Sequence, residues 1–326
     1  MRKALVTGGT GFIGSHLVER LLGKDISVRC LVRKANNLGW LQKNRDIEYV
    51  FGNVVDYNSL IPAVSKIDTV FHLAGVTKST AEENFYQVNA TGTLNLLKAV
   101  VKVNPELKRF VYISSQAVTG PSSTPVTESE IPRPITPYGA SKLAGEETVL
   151  AFRSQIPVTI LRPAIVYGPR EKDVYTFFRI IQWGIKPVLG WKEHYGSFIY
   201  VDDLVDGIIL AAENEKAIGQ TYFLVSESIV SWSSLNNEIA RALGKKAITI
   251  HVPVLLADFI AVVTELISKL IGKPSILTRH KIKELKEEAW ICDGSKARKE
   301  LGFHPKVRFS EGIDRCADWY RKQGWL

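Results

Sequence analysis

The sequence predicts a doubly wound parallel α/β sheet followed by a smaller, mostly helical C-terminal lobe. Three observations carry this expectation. Short β-branched runs that are apolar on both faces alternate with helical patterns through the first half of the chain. A glycine-rich turn joins the first of these strands to the first helix. After Pro169 the alternation stops, and residues 229–326 read mainly as helix, with breaks marked by Pro253, Pro274 and Pro305.

In chain order, KALVT (3–7) is the first strand and GFIGSHLVERLLG (11–23) the first helix. Ile13, Leu17, Leu21 and Leu22 recur at helical spacing, and Gly23 is the expected stop. Strands follow at SVRCLV (27–32), IEYVF (47–51), TVFHLA (69–74), RFVYIS (109–114) and VTILRP (158–163), with helical patterns such as NLLKAVVKV (95–103) between them. GSFIYVDDLVDGIILAAE (196–213) and QTYFLV (220–225) read as further sheet and helix of the core. The expected division is therefore a nucleotide-binding domain at 1–169 with a returning segment at 197–226. A substrate lobe is expected from 170–196 and 227–326, and a cleft between such units is where a small molecule binds.

A chain of 326 residues, 45% hydrophobic and 23% charged, has the composition of a folded globular protein with ample core. The opening apolar run is too short for a secretion signal, and no run reaches the ~18 apolar residues of a membrane span. Cys30, Cys292 and Cys316 are odd in number and far apart, which argues against a disulfide framework and for a reducing, cytoplasmic setting. The six histidines show no ligand spacing, so no metal is expected. The net charge of +9 is concentrated late, in RHKIKELK (279–286) and SKARKELG (295–302). Charge interleaved at helical spacing reads first as a solvated face and second as a surface for anions or a membrane. No nucleic-acid module is found.

LVTGGTGFIGSHL (5–17) sets Gly8, Gly11 and Gly14 between strand and helix, one residue looser than the usual Rossmann G-x-G-x-x-G. Glycine permits the tight turn, lets the backbone approach a pyrophosphate and leaves the helix N-terminus facing its negative charge. The segment TPYGASKLAGEE (136–147) reads as a helix start, with Thr136 as cap and Pro137 at the first helical position. Tyr138 and Lys142 then share one face, a turn apart. The helix dipole and a nearby ammonium would both favour phenolate and lower the Tyr138 pKa.

The glycine loop, HLAG (72–75), YISS (112–115), Tyr138-x-x-x-Lys142, LRPAIVYGP (161–169) and FIYVDDL (198–204) occur in the order of the extended short-chain dehydrogenases/reductases. With SKARKELGFHP (295–305), the resemblance covers essentially the whole chain. It implies an enzyme in which Tyr138 is the acid/base, Lys142 holds the nicotinamide ribose and Ser115 hydrogen-bonds the reacting oxygen. Thr10, Phe12 and Ile13 would join the three glycines on the cofactor. So would Leu73, Ala74, Gly75, Ser114 and Pro163, and Asn53 and Val54 of GNVVD would lie beside the adenine, with Asn53 where Asp is usual.

NAD-binding relatives carry an acid at the end of the second strand, where this chain has Val32 followed by Arg33 and Lys34. Two cations without a carboxylate suit a 2′-phosphate, so NADP(H) is expected, with NAD(H) as the alternative. Three departures separate the chain from nucleotide-sugar epimerases and dehydratases: Ile165 for their asparagine, Gly196 and Ser197 in place of their arginine, and Gln116 in place of the dehydratases' acidic pair. The pattern resembles instead the dihydroflavonol-reductase and 3β-hydroxysteroid-dehydrogenase branch, which implies an alcohol/ketone on a bulky apolar substrate. A nucleotide-sugar epimerase is the alternative. The apolar run 252–278, whose narrow polar stripe is Asp258, Glu265, Ser268 and Lys269, is expected as lobe core, substrate wall or membrane-surface helix. Peripheral membrane contact and a homodimer complete the expected partners.

Overall fold

A computed structural model describes residues 1–41, 44–271 and 278–326. Its strands begin with β1 (Lys3–Thr7), β2 (Ser27–Val32), β3 (Ile47–Phe51), β4 (Thr69–His72), β5 (Arg109–Ile113), β6 (Ser122–Val126) and β7 (Val158–Pro163). They continue with β8 (Ile165–Tyr167), β9 (Ile185–Leu189), β10 (Tyr195–Tyr200), β11 (Thr221–Leu224), β12 (Ile229–Ser231), β13 (Ile248–Val252) and β14 (Ala289–Cys292). The first helices are α1 (Phe12–Leu22), α2 (Tyr57–Val64), α3 (Glu82–Tyr86), α4 (Gly92–Val103), α5 (Pro137–Ala151) and α6 (Asp173–Gln182). The later ones are α7 (Val201–Glu213), α8 (Trp232–Leu243), α9 (Val254–Ile271), α10 (Arg279–Lys286), α11 (Ser295–Leu301) and α12 (Phe309–Lys322).

A seven-stranded parallel sheet has the order β11-β7-β5-β4-β1-β2-β3. Successive side chains go to opposite faces, so Ala4 and Val6 enter one core with Leu17 and Leu21 of α1 while Leu5 enters the other with Leu96 and Val100 of α4. Burial on both faces is why these strands lack a polar alternation. The strand order reverses between β1 and β4, in register Thr7 with His72, and ligands of such sheets bind outside the carboxyl ends at that crevice.

The smaller lobe has sheets of its own. The strand Tyr195–Tyr200, expected with the main sheet, instead joins β12-β10-β14-β6, with β8 paired to β10. A strand starting at Ile165 directly after the carboxyl end of β7 carries the chain out of the main sheet, and Phe198 pairs there with Ile165. The parallel pair β9–β13 ties residues 185–189 to 248–252. Aromatic packing fills this lobe, with Phe178, Phe198, Tyr200 and Tyr320 in one buried cluster. Of the apolar run 252–278, α9 accounts for 254–271; residues 272–277 and the Lys269 side chain lie outside the described set.

Candidate active site

The cofactor residues expected from the sequence lie in or beside the turns that follow the carboxyl ends of β1, β2, β3, β4, β5 and β7. Gly8 has φ +76°, and a Cβ there would lie 2.7 Å from Leu73 C and Ala74 N, so the glycine loop touches the turn after β4. A Cβ on Gly14 would lie 2.2 Å from Gly8 O, within the turn that the Gly11 N–H closes at 3.0 Å. Thr10, Phe12 and Ile13 belong to this turn and to the first turn of α1. Arg33 and Lys34 are exposed directly after β2, and no carboxylate stands at the strand end. Asn53 lies in the turn after β3, while the buried Val54 side chain packs toward Gly92. Ala74 N–H donates to Thr7 Oγ1 at 3.2 Å.

One polar atom there is left without a partner: the buried Ser114 Oγ has none among the described residues. A buried hydroxyl usually has a partner, so this atom, after the carboxyl end of β5 and beside the crevice that the glycine turn and the start of α1 border, fits a bound dinucleotide.

Tyr138 and Lys142 are set by a helix start of the expected form, with Gly139 N–H donating to Thr136 Oγ1 at 3.3 Å and Pro137 opening the helix. Ser115 follows β5, where its hydroxyl accepts from Ala117 N–H at 3.1 Å and also hydrogen-bonds Tyr138. The expected fall in the Tyr138 pKa does not occur. Burial pushes the phenol up to about 12, the Ser115 hydrogen bond draws it partly back, and Glu284 pushes it up again. The Lys142 ammonium is held by the Ile113 carbonyl at 2.5 Å and lies 4.2 Å from the Tyr112 ring centroid. Burial lowers its pKa to about 7, and Glu146 opposes that fall.

Sequence reasoning passed over several members of this site. Glu146 forms a two-bond ion pair with Arg162, at 2.9 and 2.6 Å, directly behind Lys142. Asn89 lies in a π-helical turn (Gln87–Thr91), where its amide donates to Ser141 Oγ at 2.9 Å and accepts from Val76 N–H at 2.8 Å. Wide turns of this kind often mark functional sites. The available signal was a polar residue inside an apolar helical pattern, which is common. Glu284 accepts from Thr136 Oγ1 at 3.2 Å and from Lys281 at 3.3 Å. It belongs to the stretch RHKIKELK, read as a solvated face; Lys281, Ile282, Glu284 and Leu285 instead help wall a cavity.

That cavity, about 640 Å³, opens beside Ser115 and Tyr138. Ile165, Val166, Val174, Phe177, Ile180, Val188, Leu189, Trp232, Val252, Ile260, Leu285 and Trp290 supply most of its wall. Its charged lining comprises Lys281 with Glu171, Asp173, Glu284 and Glu287. Glu171 caps α6, accepting from Asp173 N–H at 2.7 Å and Val174 N–H at 2.5 Å, and burial raises its carboxyl to about 7. Gln116 Oε1 accepts from Cys292 Sγ at 3.4 Å. Among the described residues no group of His, Cys, Asp and Glu has the arrangement of a metal site.

A parallel sheet with a glycine cradle at its switch point and a Ser–Tyr–Lys set beside a cavity defines a nicotinamide-dependent enzyme of the extended short-chain dehydrogenase/reductase type. The chain belongs to the NAD dependent epimerase/dehydratase family, whose model matches residues 4–224. It is 28% identical to the 3beta-hydroxysteroid-dehydrogenase/decarboxylase isoform 1 of Arabidopsis thaliana, over 97% of this chain and 79% of that protein. It is 27% identical to the N-acetyl-alpha-D-glucosaminyl-diphospho-ditrans,octacis-undecaprenol 4-epimerase of Escherichia coli O157:H7, over 97% and 94%. The solved UDP-glucuronic acid 4-epimerase of Bacillus cereus, in complex with UDP-glucuronic acid and NAD, superposes with a TM-score of 0.80 at 26% identity, covering 98% of this chain and 99% of that one.

Proposed function

We propose that the protein interconverts a secondary alcohol and a ketone on a bulky, largely apolar molecule, using NADP(H) in preference to NAD(H). The observation that carries the substrate class is the cavity wall beside Tyr138. It is mainly aliphatic and aromatic, and its Lys281 is engaged by Glu284 among further carboxylates. A diphosphate needs converging cations or amides, and this lining would repel it. A second observation agrees. Ile165 and Gly196, two of the departures in the sequence, face each other: a Cβ on Gly196 would meet Ile165 Cδ1 at 3.0 Å. Ser197 is turned to Cys292 N–H, at 3.2 Å.

When bound, the nicotinamide cofactor supplies or accepts the hydride. Gly8, Gly11 and Gly14 would receive its pyrophosphate, with Thr10, Phe12 and Ile13. Asn53 and Val54 would lie by the adenine, and Leu73, Ala74, Gly75, Ser114 and Pro163 would line its path. Lys142 would hold the nicotinamide ribose. Tyr138 holds the proton that moves to or from the substrate oxygen, and Ser115 donates a hydrogen bond to the same oxygen as charge develops on it. The apolar wall excludes water and orients the substrate, and burial at about 25 cal/mol per Å² contributes most of the affinity.

The second reading, a nucleotide-sugar epimerase, is favoured by relatives such as the Bacillus cereus enzyme solved with UDP-glucuronic acid. Thermal shifts of the cofactor-loaded protein separate the two. Steroid-like or terpenoid ketones are expected to raise the melting temperature, whereas UDP-glucose and UDP-galactose are not; the reverse result would establish the epimerase. For the cofactor, NADPH should bind more tightly than NADH. Arg33→Ala should remove roughly 1.5–3 kcal/mol from NADPH binding alone. Equal affinities in the unmutated protein would exclude the preference.

A further inference from the structure

We propose that the outer face of α9 docks the protein on an anionic phospholipid surface. A helix at a protein surface ordinarily turns its polar side outward, and α9 does the opposite. It buries Ala257 and Ala261, while every exposed residue of the helix among those described is aliphatic or phenylalanine. Leu255 is 82% exposed, Phe259 66% and Leu266 58%, and these three follow one another at helical spacing along the outer face. Near the N-terminal end of the helix stands Trp191, 78% exposed and stacked on His251 at 4.6 Å, and the adjacent Gly190 lies against Val254, where an added Cβ would be 3.4 Å from Val254 Cγ2. An exposed apolar surface of this extent marks an interaction site, and indole rings favour the membrane interface. No described helix is long and apolar enough to cross a membrane, so the contact would be one of lying on the surface.

Charge selects the occupant. The acids of α9, Asp258 and Glu265, sit at the margin of the apolar face and are paired with Lys286 at 2.6 Å and Arg279 at 2.8 Å. These contacts place α10 antiparallel beside α9. Lys283, exposed and midway between those two cations along α10, makes no ion pair among the described residues. The rim of the patch is thus neutralised or positive, on a chain of net charge +9. Two copies meeting face to face would bring these rims together, whereas an anionic bilayer complements them. The same helix also walls the cavity through Ala257 and Ile260, so a single helix separates the lipid-facing surface from the site beside Tyr138. The docking surface stands independently of the substrate class, because it is read without substrate.

Flotation of the full chain with vesicles of phosphatidylcholine mixed with phosphatidylglycerol, and of phosphatidylcholine alone, tests this. The protein should float with the mixed vesicles, and less so as salt is raised. Phe259→Glu combined with Leu266→Glu should weaken partitioning at least about ten-fold. Lys283→Glu should weaken it by about five-fold or more, reflecting the loss of one surface cation and the gain of an anion. Both variants alter exposed positions and should melt at the unmutated temperature. Failure of the unmutated protein to float with the mixed vesicles overturns the proposal, as does undiminished binding by the Phe259/Leu266 variant. So does a dimer by light scattering that this variant converts to monomer while vesicles go unbound, an outcome that assigns the face to a second copy.

Discussion

Tyr138→Phe should lower turnover by about 10²–10⁴ while leaving dinucleotide affinity nearly unchanged. The substitution removes a hydroxyl and keeps the ring, so the packing around it and the start of α5 survive. What is lost is the proton that the proposed reaction moves at the substrate oxygen. The pH profile adds a second readout. With its pKa raised to about 12 by burial, Tyr138 is a protonated phenol at neutral pH and is ready to donate. Ketone reduction should therefore need no alkaline activation, whereas alcohol oxidation, which requires the phenolate, should quicken as pH rises. Steady-state rates in both directions with a responsive ketone/alcohol pair check this. Near-normal turnover by the phenylalanine variant would remove Tyr138 from the chemistry.

Glu146→Ala should destabilise the protein by about 3–5 kcal/mol, a large share of the stability of an ordinary domain. The Glu146 and Arg162 side chains are 3% and 6% exposed, and their two hydrogen bonds satisfy a charge that water cannot reach. Arg162 Nη1 already has no partner among the described residues. Loss of the carboxylate leaves the guanidinium buried and uncompensated. Replacing both partners with apolar side chains of similar volume should restore much of the loss, because the penalty comes from breaking the pair rather than from lacking it. Denaturant unfolding of the single and double variants measures this, and a single variant within ~1 kcal/mol of the unmutated protein would refute it. The change also reaches the site. Glu146 holds the Lys142 pKa up, so its removal should lower that pKa further and favour the neutral amine.

The elements that pack locally were readable from the chain. KALVT, SVRCLV, IEYVF and VTILRP coincide with β1, β2, β3 and β7, and the pattern at 11–23 places α1 within a residue at each end. Each is a two-sided apolar strand or a one-sided apolar helix, so its neighbours are implied by its own pattern. Tyr138 and Lys142 were legible for the same reason: cap, proline and spacing all lie within one helical turn or two. The short strands β8, β9 and β13 were not. Ile185–Leu189 contains Pro187, and Ile248–Val252 carries little burial of its own, so each takes its form from the other across some sixty residues of chain.

The pKa of Tyr138 shows the limit most directly. From sequence, the dipole and Lys142 promised a lowered value, because both are local. Burial is set by everything that packs over the phenol, including Glu284 from a helix almost 150 residues away, and it outweighs them. By itself the sequence determined the doubly wound sheet and the glycine turn between its first strand and first helix, since these rest on periodicity and on residues adjacent in the chain, and the order of its motifs carried the resemblance to the family. Only the tertiary structure decided that RHKIKELK lines a cavity, that Ile165 meets Gly196, that Glu146 and Arg162 back Lys142, and that α9 turns its apolar side outward. Each of these depends on which surfaces meet after the chain has folded, and a periodic pattern says that a face is apolar without saying what will cover it.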